Sequence, residues 1–195
     1  MKRNIITIFL SLELIALISS CTKQLDLSPI SNIRNASYWQ TSSQFDAFVT
    51  GIHSRFRVDN GNMQVLGEMR GDIFGTDPGS SSAFTGEAPQ GIQETWLNQL
   101  SVTNTPVTNY AGFYYNIVQI NLLISKLHGT IVVPAANQSY YLGIAYGMRA
   151  FYYFQLLKTW GGVVIQTDPV LSFNIATLSQ PASSAAQVTA QIKTD

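Results

Sequence analysis

The chain has 195 residues with 11 basic and 11 acidic side chains, so it lacks the basic surplus that a general nucleic-acid binder needs. At 46% hydrophobic and 11% charged, against about 25% charged in an average soluble domain, it is composed like a folded chain, not a disordered acidic tail. One cysteine and two histidines exclude an internal disulfide framework and a Cys/His zinc site.

The N-terminus reads as a targeting segment. Lys2 and Arg3 precede the apolar stretch Ile5 to Leu12, which Glu13 interrupts before Leu14 to Ile18 resume it. This run falls short of the roughly 20 apolar residues of a membrane span. Residues 1–20 are therefore assigned to a secretory signal. The run ends Ile18-Ser19-Ser20-Cys21. An aliphatic residue, two small ones and the sole cysteine resemble the bacterial lipobox, whose cysteine is acylated and becomes the mature N-terminus. Each buried acyl methylene adds about 0.8 kcal/mol of anchoring. Without residues 1–20 the chain keeps 9 cationic and 10 anionic side chains, so lipid and not a basic patch would hold it to a membrane. Thr22 to Asn35 is polar, contains Pro29, and suits an extended lipidated tether over 21–36.

Residues 37–195 are expected to form the folded part. Thr41-Ser42-Ser43-Gln44 has capping-box spacing, and Phe45, Phe48, Ile52 and Phe56 follow on one helical face. Tyr38 and Trp39 are expected to pack on the first turn. From Asp59 to Gln90 the texture changes. Seven of the 14 glycines fall between positions 61 and 91, with Pro78, Pro89 and Ser80-Ser81-Ser82 among them. Glycine at that density breaks regular elements, so the reading is a long irregular loop from Asp59 onward, of a kind that is functional or disordered. It holds Asp59, Glu68, Asp72, Asp77 and Glu87.

Beyond Trp96 helical periodicity returns, with Phe113, Ile117, Ile120, Ile124 and Leu127 on one face and Gly129 and Pro134 marking the end. A second helix is expected over about Ser139–Lys158. Tyr141, Ala145, Met148, Tyr152 and Leu156 form one face, and Tyr153, Phe154 and Leu157 a second apolar one. Gly161-Gly162 stops it, and Val163-Val164-Ile165 is a short β-prone run. Ser183 or Ser184 then caps a helix carrying Val188 and Ile192, inside which the sequence stops at Asp195. The fold class is mainly α, with tetratricopeptide-like helical hairpins and long irregular loops, in a C-terminally truncated fragment.

In this order, the pieces resemble the N-terminal part of the SusD/RagB family of Bacteroidetes outer-membrane lipoproteins. The resemblance runs from Cys21 and Leu27-Ser28-Pro29 through Tyr38-Trp39-Gln40-Thr41, the aromatic helix, and Glu68-Met69-Arg70-Gly71-Asp72. It continues with Trp96, the helix bearing Tyr115, Ile117, Ile120, Asn121 and Ile124, then Arg149 to Leu156 with Trp160-Gly161, and ends with Gln187 to Asp195. This sequence departs from the family at Gly162, Val163 and Val164, where an acid, an aliphatic residue and a proline are usual, and at His53, where an aromatic residue is commoner. The resemblance implies a non-enzymatic surface lipoprotein that captures oligosaccharide or peptide nutrients and passes them to a TonB-dependent β-barrel transporter of the SusC/RagA kind. It also implies that the tetratricopeptide helices form the platform facing the barrel.

The residues themselves favour a neutral ligand weakly. Between Glu94 and Arg149 lie 54 residues with one charge, Lys126. Neutral sugars are gripped by aromatic stacking and by hydrogen bonds from amides and hydroxyls. Trp96, Asn98, Gln99 and Asn104 offer that chemistry, although for any one of them a core Trp96 or a surface-solvating amide is the commoner role. The ligand-binding candidates are Trp96, Asn98, Asp72 and Asp77.

A glycosidase needs two carboxylates about 5–9.5 Å apart, which Glu68 with Asp72, or Asp72 with Asp77, can meet; acids in a Gly/Ser loop more often cap turns. The loop has neither EF-hand ligand order nor a phosphate-loop ending, so no metal or cofactor is assigned. Arg70-Gly71-Asp72 is read as a chance tripeptide. Arg149, alone among aromatics, is expected to make a structural ion pair or cap a carbonyl, and His53 and His128 are read as structural. The alternative function is a lipid-anchored tetratricopeptide-type scaffold without small-ligand binding, ahead of a surface glycosidase.

Overall fold

A computed structural model describes residues 38–71, 95, 97–103, 110–171 and 179–195. The segments expected to be a signal (1–20) and a tether (21–36), with Cys21, lie outside them. Trp39–Asp195 forms one unit built of four helices among the described residues, α1 (Ser42–Leu66), α2 (Tyr110–Leu127), α3 (Ala135–Trp160) and α4 (Ala185–Thr194), with a 3-10 turn at Glu68–Arg70. These residues contain no strand.

The capping boxes fall where the sequence places them. The Thr41 hydroxyl accepts from the Gln44 N–H at 3.3 Å while the Gln44 side chain accepts from the Thr41 N–H at 2.9 Å. Ser184 and Gln187 repeat the arrangement at α4. Trp39 packs on the first turn of α1, its ring 4.9 Å from Phe45 and 4.7 Å from Phe48. Gly129 and Gly161 both adopt positive φ, 83° and 75°, at the ends of α2 and α3. Glycine is the residue that takes this conformation without steric cost.

One expectation is corrected. The irregular region does not begin at Asp59, because α1 continues through Gly61 to Leu66. Buried positions recur at Phe45, Val49, Ile52, Asp59, Met63 and Leu66, so the helical stripe runs on past the glycine and packing outweighs its low propensity. On α3, Tyr153 is buried as expected of a second apolar face, but Phe154 is exposed. His53 is exposed too, and His128 shares a 3.2 Å hydrogen bond with the Tyr146 hydroxyl.

Contacts between Phe113 and Trp160, Asn116 and Tyr152, Asn121 and Arg149, and His128 and Tyr146 advance in opposite directions along α2 and α3, which are therefore antiparallel. Contacts of Asp46 with Tyr141, Phe56 with Tyr152, and Asp59 with Tyr152 advance together, so α1 and α3 are parallel. The core between them holds Phe45, Ile52, Phe113, Ile117, Ile120, Tyr152 and Leu156.

Two buried polar networks lock this packing. In the first, the Tyr152 hydroxyl donates to Asp59 at 2.6 Å and accepts from Asn116 Nδ2 at 2.8 Å, while Arg55 pairs with Asp59 at 2.9 Å. In the second, Arg149 Nε donates to Asp195 Oδ2 at 2.9 Å, Nη2 donates to Asp195 Oδ1, and Nη1 donates to Asn121 Oδ1 at 2.9 Å. The two charged side chains of this second pair are 6% and 1% exposed.

Segment 163–168 forms no strand: the Ser183 N–H takes the Val163 carbonyl at 2.9 Å, and side chains take carbonyls beyond it. The Tyr114 hydroxyl donates to Val164 at 2.6 Å, the Tyr153 hydroxyl to Gln166 at 2.7 Å, and Arg149 to Thr167 at 3.4 Å. Arg149 thus makes both an ion pair and a carbonyl contact.

Candidate functional site

Asp72, Asp77, the Trp96 side chain and Asn104 lie outside the described residues, as does any pairing of Asp72 with Glu68 or Asp77. Asn98 lies inside them. It is exposed, takes a left-handed φ of 55°, and donates its N–H to the Thr95 carbonyl at 3.2 Å in a tight turn. Asparagine tolerates that conformation better than most residues. Its Oδ1 accepts from Arg70 Nε at 3.4 Å, which ties the turn to the end of α1.

That end of α1 is one wall of a cleft. Because α1 and α3 are parallel, their C-terminal turns lie side by side. Leu66, Gly67, Glu68, Arg70 and Gly71 face Lys158 and Thr159 around a volume of about 320 Å³. Buried Met69 anchors the turn that presents Glu68 and Arg70 to solvent. The cap of α1 is tight, with the Gly67 N–H bonding the Met63 carbonyl at 3.0 Å. A methyl group on Gly67 would stand 3.1 Å from that carbonyl and 3.3 Å from Lys158 Nζ, so the bare glycine lets the ammonium approach the backbone.

Lys158 also stands over the Phe154 ring, 6.0 Å from its centroid. Both helices direct the negative end of their dipole toward the cleft, and the two cations offset it. Among the described residues none of Glu68, Arg70 and Lys158 forms an ion pair. The cleft thus combines cationic donors, a hydroxyl and one carboxylate, the equipment for holding a polar ligand. Sequence reasoning reached Asn98 by residue type and took Arg70 only as part of the segment 68–72 that resembles the family and of a chance tripeptide. It missed Lys158, because nothing but the parallel packing of two distant helices brings position 158 to position 67.

The described residues contain no cluster of metal-ligating side chains and no helix long and apolar enough to cross a membrane.

Residues 24–195 match the profile of a SusD-like family described as starch-binding and associating with the outer membrane. A SusD-like protein of Formosa agariphila is 28% identical over 189 residues, covering 95% of this chain and 35% of that protein. Among solved structures, B. fragilis NanU is similar at a TM-score of 0.71 and 39% identity, over 86% of this chain and 32% of that one. A SusD superfamily protein from Bacteroides vulgatus gives 0.67 and 38% over 80% and 30%. The chain spans about a third of the length of these relatives.

Proposed function

The chain belongs to the SusD-like family of starch-binding, outer-membrane-associated proteins, and on that premise we propose that it is part of a surface lipoprotein that binds oligosaccharides and delivers them to a TonB-dependent β-barrel transporter. The observation that carries this reading is the family match over residues 24–195. The near-absence of charge between Glu94 and Arg149, and a cleft rich in hydrogen-bonding groups, also support it. In this reading Cys21 carries the acyl chains, residues 21–36 act as the tether, and Trp96, Asn98, Asp72 and Asp77 contribute to the ligand surface. The protein binds and transfers its ligand without chemical turnover.

The test uses the tagged full-length protein, expressed from its own locus and extracted gently from outer membranes. Native mass spectrometry is expected to find it acylated at Cys21 and bound to a large β-barrel, and calorimetry is expected to find oligosaccharide binding. An acylated protein with no barrel and no glycan affinity would favour the lipid-anchored scaffold. An unacylated one would overturn the anchor.

A further inference from the structure

We propose that the turn between α2 and α3 is a second membrane contact, with Ile131 and Val132 entering the lipid surface to which Cys21 anchors the chain. This rests on the lipoprotein reading above and adds the contact that fixes the protein's orientation.

The turn is apolar and points outward. Ile131 is 97% exposed and Val132 37%, and Tyr140, in the second turn of α3, is 66% exposed. From Leu127 to Met148 the chain has no Asp, Glu, Lys or Arg. Aliphatic side chains with a tyrosine set slightly behind them match a bilayer, whose core takes the aliphatic groups and whose interface takes the phenol. Lys126 in the last turn of α2 and Asp46 in the second turn of α1, charged residues at this end of the bundle, stand on helices and not on the turn.

The turn is also built to leave water. Gln138 Nε2 donates to the Thr130 carbonyl at 2.7 Å and to the Val133 carbonyl at 2.9 Å. The Thr130 hydroxyl accepts from the Val132 N–H at 3.3 Å. Backbone groups already paired inside the protein cost little to take out of water, whereas bare ones are expensive. Val133, 3% exposed, roots the turn in the core and holds Ile131 on its outward course.

Topology supplies the third argument. α1 and α3 are parallel, with the Tyr141 hydroxyl bonded to Asp46 at 3.1 Å, so the turn lies at the end of the bundle where α1 begins. The segment 21–36 joins the fold at that same end, through Trp39 on the first turn of α1. A tether of that length reaches about 55 Å at most and by itself sets no orientation. An apolar contact beside its point of attachment does, and it turns the C-terminal ends of α1 and α3 away from the bilayer.

The experiment places a photoreactive benzoylphenylalanine in the full-length lipoprotein, expressed from its own locus and irradiated in outer membranes. At Ile131 the probe is expected to crosslink to lipid; at Lys158, exposed near the other end of α3, it is not. With the probe at Tyr140 instead, Ile131→Asp is expected to lower lipid crosslinking roughly 10-fold, since the aliphatic group that enters the bilayer is gone. Val102→Asp, at a position 90% exposed outside this turn, is expected to leave it unchanged. Crosslinks from position 131 to protein, whether a barrel, another copy or a later part of the same chain, would overturn this contact while acylation of Cys21 stands. Equal lipid crosslinking at 131 and 158 would do the same. A chain found unacylated by mass spectrometry would overturn the anchor and this contact together.

Discussion

At the scale of single residues, Arg149 and Gly162 carry the clearest consequences. Removing one partner of a buried ion pair strands the other, at a cost of about 3–5 kcal/mol. Arg149→Ala would leave the Asp195 carboxylate, 1% exposed, with only the 2.9 Å bond from Gln191. A fall of that size is expected in the unfolding free energy of the full-length protein, read from urea titration. Replacing both residues with leucine should recover part of the loss. That Arg149 has a structural partner was legible, since an arginine amid aromatics needs one; that the partner is Asp195, 46 positions on, was not. At Gly162 a Cβ would lie 2.4 Å from the Ser183 carbonyl oxygen. Gly162→Ala is therefore expected to lower stability by about 1–3 kcal/mol, seen as a reduced urea midpoint.

At the scale of elements, α1 shows where sequence reasoning stopped short. Glycine density argued for a loop from Asp59, yet the buried stripe continues through Met63 and Leu66. Following the period past the glycines would have found it. Gly61 is exposed and open space surrounds its Cα. Gly61→Ala is expected to stabilise the protein by about 0.5–1 kcal/mol, checked by thermal unfolding.

The α2–α3 hairpin, its glycine stops and both capped N-termini were legible because propensity, period and capping chemistry agree there. The cleft was not, since its members come from 66–71 and 158–159 and no spacing links them. The tyrosines that bind segment 163–168 to these helices make the assembly alkali-sensitive. Burial chiefly pushes Tyr153 up to about 12, against the pull of its backbone hydrogen bond at Gln166, and burial raises Tyr114 and Tyr152 as well. The native state keeps these protons while unfolded tyrosines lose them from about pH 10, so this stabilisation is intact below pH 10 and declines as pH rises toward 12. The slope approaches about 1.4 kcal/mol per unit per tyrosine. Urea midpoints at pH 9, 10 and 11 should fall accordingly, and less steeply in Tyr153→Phe.

At the scale of the whole molecule, the chain covers about a third of its relatives. Among the described residues Tyr115, Tyr140, Phe151, Phe154 and Leu171 lie exposed. A fragment spanning residues 21–195 is expected to self-associate through such surface; a single monomeric peak at high concentration in size-exclusion chromatography would contradict this. The buried network at Tyr152 also has a consequence in time. Residues 128–134 are all that separates α2 from α3, whereas the hydrogen bond from Tyr152 to Asp59 closes 93 residues of chain and that from Tyr141 to Asp46 closes 95. Short closures precede long ones, so the hairpin should assemble first and α1 should dock onto a surface already formed. Substitutions at Ile120 are then expected to slow folding of the full-length protein, and those at Val49 mainly to hasten its unfolding, as stopped-flow chevrons would show. Until α1 arrives, the Tyr152 hydroxyl and Asn116 face water, and the step that buries them is the one that commits the chain to its native form.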